Sequence, residues 1–245
     1  MTLLAGAFVV VAAFVTATVS GVLGMAGGLL LLSALLLVLP VAAAFVVHGL
    51  LQLVSNGWRA FLQRPHVVWP TVGWYAVGAL LAVLAVSAVA YVPSRPLTYL
   101  LLGLVPALVW LPKGWLHLDA ERPGHAVAAG LLVTVLNLLA GVAGPLLDVF
   151  FVRTALGRHQ VVATKAATQV LSHGGKVVVY GQLVAGGAVP YAVVAVAVPL
   201  SMLGTAVGGR LLDRMSESGF TAWTRWVVTA IGGVYLLQAA LMASV

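Results

Sequence analysis

Apolar residues run along this chain in long blocks separated by short breaks rich in proline, glycine and charge. The blocks are 2 to 39, 41 to 63, 70 to 92, 97 to 111, 125 to 157, 159 to 181, 188 to 212 and 222 to 244. An apolar helix of ~20 residues crosses ~30 Å of hydrocarbon at ~1.5 Å per residue, so the pattern predicts an all-α polytopic membrane protein. Pro40, Pro70, Pro96 and Pro190 fall near the expected helix starts, where a missing N–H would be unpaired anyway. Two blocks are anomalous. Gly24-Met25-Ala26-Gly27-Gly28 interrupts 2 to 39, and Gly141-Val142-Ala143-Gly144-Pro145 interrupts 125 to 157. Each reads as a pair of half-helices, either crossing twice or dipping in and returning.

The anomalies correspond. A shift of 117 residues lays Gly24 on Gly141 and runs without a gap to residue 64, superposing Ala26 on Ala143, Gly27 on Gly144, Gln52 on Gln169, Ser55 on Ser172 and Gly57 on Gly174. It also places Arg59 over Lys176 and His48 over Lys165. Polar residues are scarce here, so their coincidence marks a duplication: repeat 1 over 1–112, a cytoplasmic connecting loop over 113–124, and repeat 2 over 125–245. Each repeat holds a Gly-broken hairpin plus three transmembrane helices. The number of crossings is then odd, which inverts the second copy. That parity puts Arg59, Arg64, Lys113, Arg122, Arg153, Arg158, Arg210, Arg214 and Arg225 on one side and only Arg95 on the other. The excess of Lys and Arg marks the cytoplasmic side, so both termini are expected outside.

Two helices carry the candidate chemistry. His48, Gln52, Ser55, Asn56, Arg59 and Gln63 lie along one stripe of 41 to 63, and Thr164, Lys165, Thr168, Gln169, Ser172, His173, Lys176 and Tyr180 along a similar stripe of 159 to 181. A central Lys or Arg costs roughly 2.5–3.5 kcal/mol on insertion scales, so such stripes face a bundle interior or an aqueous cavity. The competing reading makes them interhelical glue, with Arg59 and Lys176 snorkelling from helix ends. Half-helix starts at Gly27-Gly28 and Gly144-Pro145 leave backbone N–H groups free, and aligned dipoles there favour an anion. The expected substrate-binding set is therefore Gly27, Gly28, His48, Gln52, Ser55, Asn56, Gly144, Lys165, Thr168, Gln169, Ser172 and His173. Lys165 is expected to be the main charge because it lies farther from a helix end than Lys176 or Arg59. Asp148 is the one acidic residue inside an apolar segment. It pairs with Lys165 or Lys176, or serves as a proton-relay or cation-coupling group; Asp148, Lys176 and Arg59 form the ion-pair or coupling set.

Composition narrows the function classes. Of 245 residues, 62% are hydrophobic and 7% charged, against about 25% charge in a soluble domain; mean hydropathy is +1.14. The net charge of +7 comes from cations scattered over loops and helix ends, which argues against nucleic acid. There is no Cys, which excludes disulfides and thiolate metal sites. His66, His117, His125 and His159 lack ligand spacing, so no metal is expected. No Walker A string and no Ser-His-Asp set suggest an enzyme, and no cofactor is expected. The first cation is Arg59, so the opening run reads as a retained transmembrane segment rather than a cleaved leader.

The string G-V-L-G-M-A-G-G-L-L-L-L from Gly21, the stripe ending S-N-G at Ser55, and their recurrence as G-V-A-G-P-L-L from Gly141 and T-K-A-A-T-Q-V-L-S-H from Thr164 resemble the TauE/SafE sulfite exporter family. The resemblance implies a bacterial inner-membrane carrier of about eight transmembrane segments that moves sulfite, sulfoacetate or similar anions; alternating access at a midplane site between the repeats is the expected mode. The chain departs from the family's glycine run at Met25-Ala26 and at Pro145, and has His173 opposite Asn56. The expectation is a secondary transporter, coupled to a gradient or uncoupled, more specifically an exporter. Its partners would be a small anionic substrate, the lipid bilayer and a coupling proton or cation, in a monomer or homo-oligomer. The rival is a non-transporting scaffold or accessory subunit whose polar stripes bind helices or a partner.

Overall fold

The computed structural model describes residues 2–23, 26–89, 91–110, 118–151, 154–184, 189–212 and 217–243. Among them are ten α-helices and no strand: α1 (Leu3–Leu23), α2 (Ala26–Val38), α3 (Val41–Leu62), α4 (Trp69–Val89), α5 (Arg95–Leu104), α6 (Pro123–Ala140), α7 (Gly144–Phe151), α8 (Arg158–Leu183), α9 (Tyr191–Leu212) and α10 (Glu217–Ala243). Six of them, α1, α3, α4, α6, α9 and α10, hold runs long and apolar enough to cross a membrane. The protein is a multi-pass helical membrane protein.

Both expected breaks are present. The run 2 to 39 divides into α1 and α2, with Gly24 and Met25 outside the described residues. The run 125 to 157 divides into α6 and α7, and Gly141 caps α6 at φ 83°, a left-handed conformation that glycine adopts without a Cβ clash. Proline acts as expected: Pro40 is the N-cap of α3, Pro96 falls in the first turn of α5, and Pro190 directly precedes α9. Several boundaries differ from expectation. α10 starts at Glu217 rather than 222, because Glu217, Ser218, Gly219 and Thr221 interrupt the apolar pattern without preventing a helix. The segment 97 to 111 becomes α5 followed by a 3-10 helix over Val105–Trp110, where Pro106 interrupts the α-helical hydrogen bonding. Part of the connecting loop, 111–117, lies outside the described residues.

The bundle is built on four principal pairings: α1 with α9, α4 with α6, α3 with α8, and α5 with α10. In lipid there is little hydrophobic force between helices, so small residues that permit backbone approach carry much of the packing. A Cβ on Gly78 of α4 would lie on the Val127 carbonyl of α6, and one on Gly130 of α6 on the Tyr75 carbonyl of α4. Gly21 of α1 meets Gly208 of α9 equally closely, a Cβ on it lying 2.6 Å from the Gly208 Cα. These contacts leave α3 and α8 enclosed, with α2 and the end of α6 reaching the space between them.

Candidate functional site

The two polar stripes meet. Gly49 of α3 lies against Val177 and the His173 carbonyl of α8, while Gly57 lies against Val170, so the helices run antiparallel. Along this seam His48, Gln52, Ser55 and Asn56 of α3 are buried, as are Thr164, Thr168, Ser172, His173 and Lys176 of α8.

Lys176 lies at the centre of one cluster and is 0% exposed. Its ammonium donates to His48 Nδ1 at 2.7 Å, to the Gly141 carbonyl at 2.8 Å and to Asn137 Oδ1 at 3.4 Å. An ammonium has three N–H groups, and here each has an acceptor. The donation fixes the tautomer of His48, whose Nε2–H then donates to the Gly28 carbonyl in the first turn of α2 at 3.0 Å. The same logic runs the other way. Asn137 Nδ2 donates to His173 Nδ1 at 3.4 Å, and His173 Nε2–H donates to Gln169 Oε1 at 3.3 Å. Both imidazoles are neutral in this arrangement, and one network joins the two helix breaks through α3 and α8.

Lys165 forms a second centre. It pairs with Asp148 of α7, and the two side chains are 25% and 32% exposed. Of the two partners expected for Asp148, the structure therefore gives Lys165. The expected depth order of the lysines is reversed: Lys176 is enclosed by α3 and the end of α6, and Phe45 lies over its ammonium with 5.6 Å to the ring centroid. Because α8 runs to Leu183, each lysine lies seven residues from a helix end, and depth is decided by which other elements cover the side chain.

Arg59, by contrast, forms no ion pair with an acid among the described residues; its Nη2 donates to the Ser20 carbonyl near the end of α1 at 3.0 Å. Gln52 accepts from Asn56 Nδ2 at 3.2 Å through Oε1 and faces Gly28, where an added Cβ would lie 3.3 Å from Gln52 Nε2. The stripe's two serines turn outward from the seam. Ser55 Oγ bonds Thr205 Oγ1 of α9 at 2.5 Å, and Ser172 Oγ bonds Tyr75 Oη of α4 at 2.6 Å and Thr134 Oγ1 of α6 at 2.8 Å. Thr168 returns its hydroxyl to the Lys165 carbonyl at 2.9 Å. Gly27 packs on the Thr16 carbonyl and the Ser20 backbone, and Gly144 opens α7 beside the separate apolar cluster around Leu147 and Phe150.

A family model described as sulfite exporter TauE/SafE matches residues 9–235. The chain belongs to the TauE/SafE family. No curated protein and no solved structure matches it. Membership places this TauE/SafE protein in a family of membrane transporters.

Asn137, Tyr75, Thr134 and Thr205 were not anticipated at this TauE/SafE seam. For Asn137 the signal was present: it is one of two asparagines in the chain, within an apolar run, and the 117-residue shift places it over Ser20. The three hydroxyl residues gave no such signal, because an isolated Thr or Tyr in an apolar helix reads as ordinary packing.

Proposed function

We propose that the protein is a secondary transporter exporting small sulfur-containing anions such as sulfite or sulfoacetate across a bacterial inner membrane. Alternating access would operate at a site between α3 and α8, with 1–112 and 125–245 as inverted repeats and 113–124 as the cytoplasmic link. The observation that carries this reading is the antiparallel meeting of the two polar stripes beside both helix breaks. Lys165 supplies the principal charge to the substrate, because it is part-exposed and its partner is a carboxylate that another anion can displace. Gln52, Asn56, Thr168, Gln169 and His173 replace hydration around the anion, and the amides of Gly27, Gly28 and Gly144 add the positive ends of half-helices. Ser55 and Ser172 hold α9 and α4 to the site.

The inverted arrangement has support in the packing. Exchanging the halves converts the α1–α9 pair into α6–α4 and returns α3–α8 and α5–α10 to themselves. Helix directions agree with odd crossing. α5 and α10 run antiparallel, with Tyr99 beside Tyr235 and Trp110 bonded to Thr229. α1 and α9 run parallel, with Phe14 and Thr18 against Gly204 and Gly21 against Gly208. Both termini then lie outside.

Calorimetric titration of purified protein with sulfite, sulfoacetate and chloride tests the reading. Binding of the two sulfur anions with chloride much weaker is expected, and absence of heat for all three would favour a scaffold instead.

A further inference from the structure

Arg59 and Lys176 are superposed by the 117-residue shift, and their contacts correspond as well. Arg59 donates to the Ser20 carbonyl near the end of α1; Lys176 donates to the Gly141 carbonyl at the end of α6 and to Asn137, the residue over Ser20. In each half, the cation of the polar helix thus sits on the C-terminal end of the first member of the broken pair. That end carries about half a negative charge, the sum of aligned peptide dipoles and unpaired carbonyls. The next half-helix, α2 or α7, starts only a few residues later with an equivalent positive end. A break left uncompensated would therefore repel the anion that its second half attracts.

Lys176 is not arranged to meet a ligand, and the bond that Arg59 makes turns its guanidinium onto the α1 end. All three donors of Lys176 are engaged and the side chain is 0% exposed, so an anion could reach it only by dismantling the network that joins the breaks. We propose that Arg59 and Lys176 are a matched pair of positioning cations. They neutralise the negative helix ends at the two breaks and set a net positive field for the anion without touching it. This rests on the anion-transport reading, but assigns to these residues a role distinct from that of Lys165.

An electrostatic role acts in proportion to substrate charge, which a purely structural role does not. At ~10 Å and an effective dielectric of ~20, loss of one unit charge weakens a monovalent anion on the order of tenfold and a divalent one on the order of a hundredfold. The test compares methanesulfonate, with one charge, and sulfite at alkaline pH, with two, as ligands of the purified protein and of Lys176→Met, Lys176→Arg, Arg59→Met and Arg59→Lys. The Met variants should lose sulfite affinity by about the square of the factor lost for methanesulfonate, and the Arg and Lys variants should recover most of both. Arg59→Met carries the test alone if Lys176→Met does not fold, because Arg59 is less enclosed. Equal losses for the two anions, or no loss in folded Met variants, would overturn this proposal only. A parent protein that binds neither anion would overturn it together with the transport reading.

Discussion

Replacing Lys165 by Gln leaves the Asp148 carboxylate without its cation, and the structure sets the scale of the consequence. A fully exposed ion pair contributes about 0–1 kcal/mol, whereas removing one partner of a fully buried pair costs about 3–5 kcal/mol because a charge is left in a poor solvent. Lys165 and Asp148, with side chains 25% and 32% exposed, lie between these limits. Lys165→Gln and Asp148→Asn should each destabilise the protein by about 2 kcal/mol. The double variant leaves no stranded charge and should lie within about 1 kcal/mol of the parent, giving a coupling of about 3 kcal/mol. Denaturant unfolding of the four purified proteins in one detergent and one salt concentration measures this. Additivity of the single effects to within about 0.5 kcal/mol would refute the pair as a stabilising contact. The cycle also supplies the right background for binding. Lys165→Gln alone mixes lost attraction with a newly unpaired carboxylate, so its effect on sulfite is best read against Asp148→Asn.

Other expectations follow from packing, capping and topology. Gly130→Ala should sharply lower the yield of folded protein, since its Cβ would meet the Tyr75 backbone, whereas Gly73→Ala on the same helix pair, with nothing within 4 Å, should be neutral; size-exclusion profiles in detergent distinguish them. Tyr235 donates to the Leu29 carbonyl at 2.7 Å and accepts from Ser33 at 2.5 Å, so Tyr235→Phe should cost about 1–3 kcal/mol in the same unfolding assay. Because the chain has no Cys, single cysteines can map topology: impermeant reagents applied outside should label positions near both termini, and cytoplasm-only labelling of the C-terminal one would contradict the inverted arrangement.

The breaks, the stripes and the scarcity of charge were legible in the sequence because each depends on local pattern. Glycine clusters inside apolar runs mark chain interruptions, and polar residues at helical spacing mark an enclosed face. What failed was depth. Distance from a helix end suggested that Lys176 was the shallower lysine, but exposure depends on which other elements cover a side chain, and the end of α6 reaches Lys176 from elsewhere in the chain. Partner choice was half-legible. Asp148 needed a lysine, yet only the packing of α7 decided for Lys165. The outward turn of Ser55 and Ser172 was invisible for the same reason, since Thr205 and Tyr75 belong to helices with no polar stripe of their own.

Transport itself is tested most directly by flux. Purified protein reconstituted into liposomes preloaded with sulfite should release it with saturable, protein-dependent kinetics, competed by sulfoacetate, and Lys165→Gln in the Asp148→Asn background should lose most of that flux while remaining folded. Sulfite release no faster than from protein-free liposomes preloaded in the same way would contradict the account.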